Sequence, residues 1–152
     1  MEYVSSAMEM KQAVDKQYDT SDVVVMAAAV ADYRPAAVAD QKIKKETMTS
    51  PDLKLTLNPD ILLGLGERKQ NQVLVGFAAE TNDVIAHGRE KLVRKNLDLL
   101  VANDVSSPES GFHVDENQVS LLTPDGHVSN YPRMAKEDIG TLIIEKIASI
   151  MK

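Results

Sequence analysis

Along the 152 residues, apolar and polar positions sort into alternating helical and extended segments. Residues 5 to 18, SSAMEMKQAVDKQY, set Ala7, Met10, Val14 and Tyr18 at helical spacing, with Ser5 or Ser6 as N-cap. TSD breaks that helix. Residues 22 to 30 are apolar and begin with β-branched valines, which predicts a buried strand. Residues 34 to 52 carry Pro35 and a charged run and are expected as loop, while 53 to 57, LKLTL, alternates like a half-exposed strand. Asn58-Pro59-Asp60 reads as a helix start: Asn58 can cap, Pro59 suits the first helical position, and Asp60 suits the positive end of the dipole. That helix is expected to reach Lys69.

Two further buried strands are predicted at 72 to 80, QVLVGFAAE, and 97 to 103, LDLLVAN, with a helix over 82 to 95 between them. A strand–helix–strand unit of this kind requires parallel strands. After Asn103 a loop leads into QVSLLT and HVSNYP, a hairpin turning at Pro124-Asp125-Gly126. A last helix, 135 to 151, puts Ile139, Leu142, Ile143, Ile147 and Ile150 on its core side. The expected class is α/β, one domain over residues 1 to 152, with a mainly parallel sheet and an appended C-terminal β-hairpin.

Composition narrows the function. With 43% hydrophobic and 26% charged residues the chain suits a soluble globular protein. The apolar run at 23 to 31 is too short to cross a bilayer, and the first residues do not form a signal peptide. Seven Met and no Cys fit a reducing cytoplasm and exclude disulfides, thiolate metal sites and a Cys nucleophile. A net charge of −6 argues against nucleic acid as partner. The basic residues nonetheless gather in KIKK (42 to 45) and REKLVRK (89 to 95), which suits a small polyanion.

Candidate chemistry lies at the strand ends. Asp32, then Glu80 and Thr81, then Asn103 and Asp104 follow the three buried strands, so a parallel sheet would line them along one edge, where open α/β sheets bind ligands. Singly, each is equally a solvated strand end. Lys42 and Lys44 share a face if extended, either as a solvated run or as a loop that neutralises phosphate or a developing oxyanion. Lys91 and Lys95, four apart over Gly88, are either a surface pair or a phosphate clamp. Like charges at that spacing cost a few tenths of a kcal/mol, and a mid-helix Gly costs about 1 kcal/mol against Ala. The Pro59 turn offers free N–H groups, and with Asp60 already there a neutral base suits it better than phosphate. Phe77 reads as core by default, with ring stacking the alternative. His87, His113 and His127 lack ligand spacing, although a phosphate-bound Mg²⁺ would need no cage. The first glycine is Gly64, so no Gly-x-Gly-x-x-Gly follows a strand and a nicotinamide-dependent oxidoreductase is disfavoured. Opening directly on a helix, the chain is expected to lack a preceding strand–helix segment.

In their order and spacing, AAVADYRP, KIKK, LNPDIL, VGFAAET and KLVRKNLDLLVANDV closely resemble phosphopantothenoylcysteine synthetase. That family is the phosphopantothenate–cysteine ligase of coenzyme A biosynthesis, and the resemblance covers roughly residues 4 to 150. It implies a Rossmann-like fold, a homodimer, and frequent fusion in bacteria to a flavin-dependent decarboxylase. It also implies activation of 4′-phosphopantothenate by CTP, with ATP the alternative, through an acyl-cytidylate that the cysteine amine converts to the amide. Mg²⁺ would arrive with the nucleotide. Carried over by position, Met26, Ala27 and Ala28 match backbone positions near the nucleotide, and Asp32 matches its acid. Lys42 matches the lysine that supports acyl-nucleotide formation, and Pro59, Asp60, Ile61 and Leu62 match the turn facing the base. Phe77, Lys91 and Lys95 match the remaining nucleotide contacts. The family's N-terminal segment, with a glycine-rich loop and an Asn used in forming the intermediate, has no counterpart here. The 152 residues are therefore expected not to ligate as they stand, while keeping a weak CTP site. The competing reading is a noncatalytic nucleotide-binding or dimerisation module on the same core.

Overall fold

The computed structural model describes residues 1–42, 52–105 and 115–152. In chain order the elements are α1 (Ala7–Tyr18), β1 (Val23–Met26), β2 (Tyr33–Pro35), β3 (Leu55–Leu57), α2 (Ile61–Glu67), β4 (Val73–Glu80) and α3 (Val84–Arg94). There follow β5 (Leu99–Asp104), β6 (Glu116–Asn117), β7 (Val119–Leu122), β8 (Val128–Asn130), β9 (Met134–Ala135) and α4 (Lys136–Ile150). The chain divides into two units, Met1–Lys16 with Ala29–Asp60, and Gln17–Ala28 with Ile61–Lys152.

The larger unit is built on a five-stranded sheet of order β1-β4-β5-β7-β8. β1, β4 and β5 are parallel; β7 and β8 add the antiparallel hairpin, turned at Gly126 with φ of 86°. This is the expected class, a mainly parallel α/β sheet with the hairpin appended.

Strand alternation gives the sheet two different faces. On one, Val73, Val75, Leu99, Val101, Val119 and Leu121 meet Ile139, Ile143 and Ile147 of α4, the helical stripe expected from spacing. On the other, α2 and α3 pack closely over two glycines. A Cβ on Gly76 would lie 2.7 Å from Leu62 and 2.8 Å from Leu97, and one on Gly88 would lie 3.1 Å from Leu122 and 3.2 Å from Leu100. Gly88 therefore marks close packing of α3 on β5 and β7. The same face is tied by the buried Tyr18 hydroxyl, which donates to the Leu65 carbonyl at 2.9 Å, with Arg68 stacked 4.9 Å over its ring. Burial pushes this phenol's pKa up.

α3 ends where Asn96 takes the left-handed conformation (φ 52°), as Asn commonly does after a helix, and Leu97 N–H closes on the Leu92 carbonyl. Asn96 also donates to the Gly66 carbonyl at 2.9 Å, locking the end of α2 against the end of α3. Below the sheet, Lys69 bonds both Asp98 oxygens at 3.0 and 3.1 Å, and Asp98 accepts the Leu74 N–H at 2.7 Å.

Several expectations need correction. The 22 to 30 strand is only Val23–Met26, with Val25 42% exposed rather than buried. Among the described residues it pairs with β4, and its ladder stops at Met26, after which a run of alanines, poor strand formers, leaves the sheet. The expected loop after Tyr33 begins with strand β2, paired antiparallel to β3 in the smaller unit, where Pro35 is tolerated on an edge. The cap expected for α1 at Ser5 or Ser6 is present as Ser6: its hydroxyl accepts the Glu9 N–H at 3.2 Å, and Glu9 accepts Ser5 N–H at 2.7 Å. Asn58 does not cap α2; its amide is spent on Ala31 and Arg34.

The two glycines of α2 give a paired test. A Cβ on Gly66 would fall 1.9 Å from the Lys95 carbonyl oxygen, whereas one on Gly64 meets nothing within 4 Å. Gly66→Ala is expected to cost more than about 2 kcal/mol by overpacking, and Gly64→Ala to gain up to about 1 kcal/mol. Chemical denaturation midpoints check both.

Candidate functional site

Parallel pairing sets the carboxyl ends of β4 and β5 side by side, with Ala79 opposite Asn103 and Glu80 opposite Asp104, while β1 stops at the Gly76 rung. The expected line of strand ends therefore exists for Glu80 and Asn103. Asp32 is not part of it: β1 stops six residues earlier, and Asp32 belongs to the smaller unit.

At this edge the apolar cover runs out. Val75 and Val101 are 0% exposed, but Phe77, on the same face as Val75, is 37% exposed, and Val25 beside it is open as well. One residue past the last paired rung, Met26 with Gly76, the chain continues into Ala27 and Ala28, both exposed. Past their last shared rung, one strand thus leads into exposed small residues and the other into an exposed aromatic ring. The default reading of Phe77 as core is corrected. Ile61 and Leu62 are buried core residues, so only their backbone can meet a ligand.

Lys91 sits on the opposite face of the sheet from Phe77. Its ammonium donates to Glu80 Oε1 at 2.5 Å, and His87 Nδ1 lies 3.5 Å from Glu80 Oε2. Glu80 is 12% exposed and Lys91 38%. Lys95 caps α3 with its N–H on the Lys91 carbonyl at 3.0 Å. The expected stack of Lys91 and Lys95 over Gly88 is corrected: Gly88 faces the sheet, while Lys91 turns to Glu80. Glu80 was readable only as a strand end and His87 only as an isolated histidine. Their signal was the four-residue spacing of His87 and Lys91 on a helix that begins just after Glu80.

In the smaller unit, Arg34 donates to the Leu57 carbonyl at 2.6 Å and to Asn58 Oδ1 at 3.1 Å, and Asn58 Nδ2 donates to the Ala31 carbonyl at 2.8 Å. The Asp32 carbonyl accepts the Asn58 N–H at 2.7 Å. These bonds brace the backbone on both sides of Asp32 and just before Pro59 and Asp60. Lys42 is exposed, and the rest of KIKK lies outside the described residues. Among the described residues, no three His, Asp or Glu side chains gather as a metal site, and no helix is long and apolar enough to cross a membrane.

The model of the DNA/pantothenate metabolism flavoprotein C-terminal domain matches residues 1–151. The chain belongs to this family. It is 48% identical over 151 residues to the coenzyme A biosynthesis bifunctional protein CoaBC of Bacillus subtilis (strain 168), covering 98% of this chain and 36% of that protein. To CoaBC of Escherichia coli (strain K12) it is 43% identical over 149 residues, 96% of this chain and 36% of that one. This member of the family thus spans about a third of the length of these relatives. Its fold superposes on the crystal structure of the C-terminal domain of CoaBC with a TM-score of 0.78 at 36% identity, covering 97% of this chain and 64% of that chain. A Cab2 mutant in complex with phosphopantothenate-cysteine shares the fold at a TM-score of 0.58 and 21% identity, covering 85% and 45%.

If Phe77 is an open ring and not a core residue, Phe77→Ala should cost less than about 2 kcal/mol, against ~3–5 kcal/mol for a sealed Phe. Leu74→Ala, at a fully buried position, is the comparison. Thermal and denaturant unfolding of the two variants decide it.

Proposed function

We propose that the protein carrying this chain ligates 4′-phosphopantothenate to cysteine at the expense of CTP, and that this domain binds the nucleotide. The observation that carries the reading is the exposed Phe77 ring past the last β1–β4 rung, with Ala27 and Ala28 exposed just beyond the end of β1. Exposed small residues let a nucleotide approach the backbone, and a strand-mounted ring with one open face suits base stacking. Family membership and the CoaBC relatives support the reaction class.

In this mechanism the phosphopantothenate carboxylate attacks the α-phosphorus of CTP and releases pyrophosphate, forming an acyl-cytidylate. The cysteine amine then attacks the acyl carbon, CMP leaves, and the amine proton passes to water. Lys42, exposed and cationic, is assigned to the charge that develops during acyl-nucleotide formation. Asp32, Pro59 and Asp60 are assigned to the nucleotide by their match to the family's motifs, with Ile61 and Leu62 contributing backbone. Lys91 and Lys95 are assigned to the triphosphate. Because Phe77 and Lys91 lie on opposite faces, a nucleotide touching both must cross the strand ends near Glu80. Mg²⁺ would neutralise phosphate charge, and ions held by phosphate oxygens need few protein ligands.

Pyrophosphate release from CTP and 4′-phosphopantothenate by the full-length protein that carries this chain is the test. Lys42→Gln is expected to slow it about a hundredfold or more, and Phe77→Ala to weaken CTP binding by about 1–3 kcal/mol. No release, or indifference to Lys42→Gln, removes the reading.

The homodimer belongs to the same proposal. On the β2–β3 ribbon Tyr33 faces Leu57 and Pro35 faces Leu55, and Tyr33, Leu55 and Leu57 are all exposed. A contiguous apolar face of this kind suits contact with a second copy. Sedimentation should show a dimer that Leu57→Glu shifts to monomer.

A further inference from the structure

We propose that Glu80 is a brake on polyphosphate affinity: its carboxylate holds and neutralises the Lys91 ammonium, so that phosphate binds more weakly than the local cations alone would dictate. This rests on the reading of Lys91 as a phosphate contact and extends it to a residue with no part in that assignment.

The geometry makes Glu80 hard to displace. It is the last residue of β4, paired with Asp104, and its carbonyl accepts the Val105 N–H at 3.0 Å. With the backbone fixed, the side chain is 12% exposed, held by Lys91 at 2.5 Å, with His87 Nδ1 3.5 Å from its other oxygen. An ammonium has three donors and one goes to Glu80, so Lys91 can meet a phosphate without leaving the carboxylate. The incoming phosphate then faces a neutral pair instead of a lone cation, with Glu80 close enough to repel it through a poorly solvated path.

Around the pair lies an open cleft of about 620 Å³, bordered also by Arg89, Glu90 and Arg94. Arg89 donates to the Gly126 carbonyl at 3.1 Å, which fixes it toward the hairpin. Without Glu80 the cleft would carry three permanent cations against one carboxylate. A site that must bind a triphosphate and then let pyrophosphate go gains from a fixed opposing charge, because release would otherwise slow as affinity rises.

Glu80→Gln is the informative variant, since it keeps an oxygen for Lys91 and removes only the charge. Inorganic tripolyphosphate, titrated into the 152-residue chain by calorimetry, is expected to bind Glu80→Gln about tenfold more tightly than wild type, with a larger gap at low salt. The charge-balanced double variant Glu80→Gln/Lys91→Gln should return to wild-type affinity or below. Glu145→Gln, on α4, should change nothing, which separates a local effect from net charge. Glu80→Ala, checked for folding by circular dichroism, should move in the same direction and replaces the Gln variant if that one fails to fold.

Equal or weaker binding by the Glu80 variants overturns the brake, as does absence of binding in every variant. CTP titrated in parallel keeps the two readings apart. If tripolyphosphate behaves as expected while CTP binds no better and ignores Phe77→Ala, the base contact is wrong and the brake stands. If CTP binds and responds to Phe77→Ala but Glu80→Gln gains nothing, the brake is wrong and the nucleotide reading stands.

Discussion

β4 is held in parallel on both sides, by β1 and by β5, and that double pairing governs the larger unit. Parallel neighbours cannot be joined by a tight turn, so the chain must return along the faces of the sheet before each new strand. One such return is α3, and the close approach it makes explains why Gly88 interrupts an otherwise ordinary helix. The same pairing sets the ends of β4 and β5 level, Glu80 opposite Asp104, although the two strands are separated in sequence by α3.

Cover and exposure along β4 follow from how far the helices reach. Val73 to Val75 are sealed between α4 on one face and α2 with α3 on the other. Beyond Gly76 the next residue on the α4 face is Phe77, an aromatic ring left 37% exposed. An apolar surface left open at the end of a sealed strand is costly in water unless something binds there.

Two lysine–carboxylate pairs show how position separates structure from function. Lys69 and Asp98 sit at the amino end of the sheet, and Asp98 also accepts the Leu74 N–H, so the pair is consumed in fixing the β4–β5 register. Lys91 and Glu80 sit beside an open cleft, where the ammonium keeps donors to offer. The chemistry is the same; only the second pair faces a space a ligand can enter.

Helices and central strands were readable from residue order, because periodicity and burial agree wherever an element packs on one side: Ile139, Ile143 and Ile147 on α4, and the Ser6 cap of α1, needed no partner to be recognised. The parallel sense of β4 and β5 was readable too, since the intervening helix leaves no other geometry. What tertiary structure decided was exposure and pairing. Three valines spell a buried strand, yet Val25 is exposed; Phe77 spells core, yet its ring is open; Asn58 spells a cap, yet its amide goes to Ala31 and Arg34. In each case the local pattern states what a side chain can do, and long-range packing settles which of its possible partners is within reach.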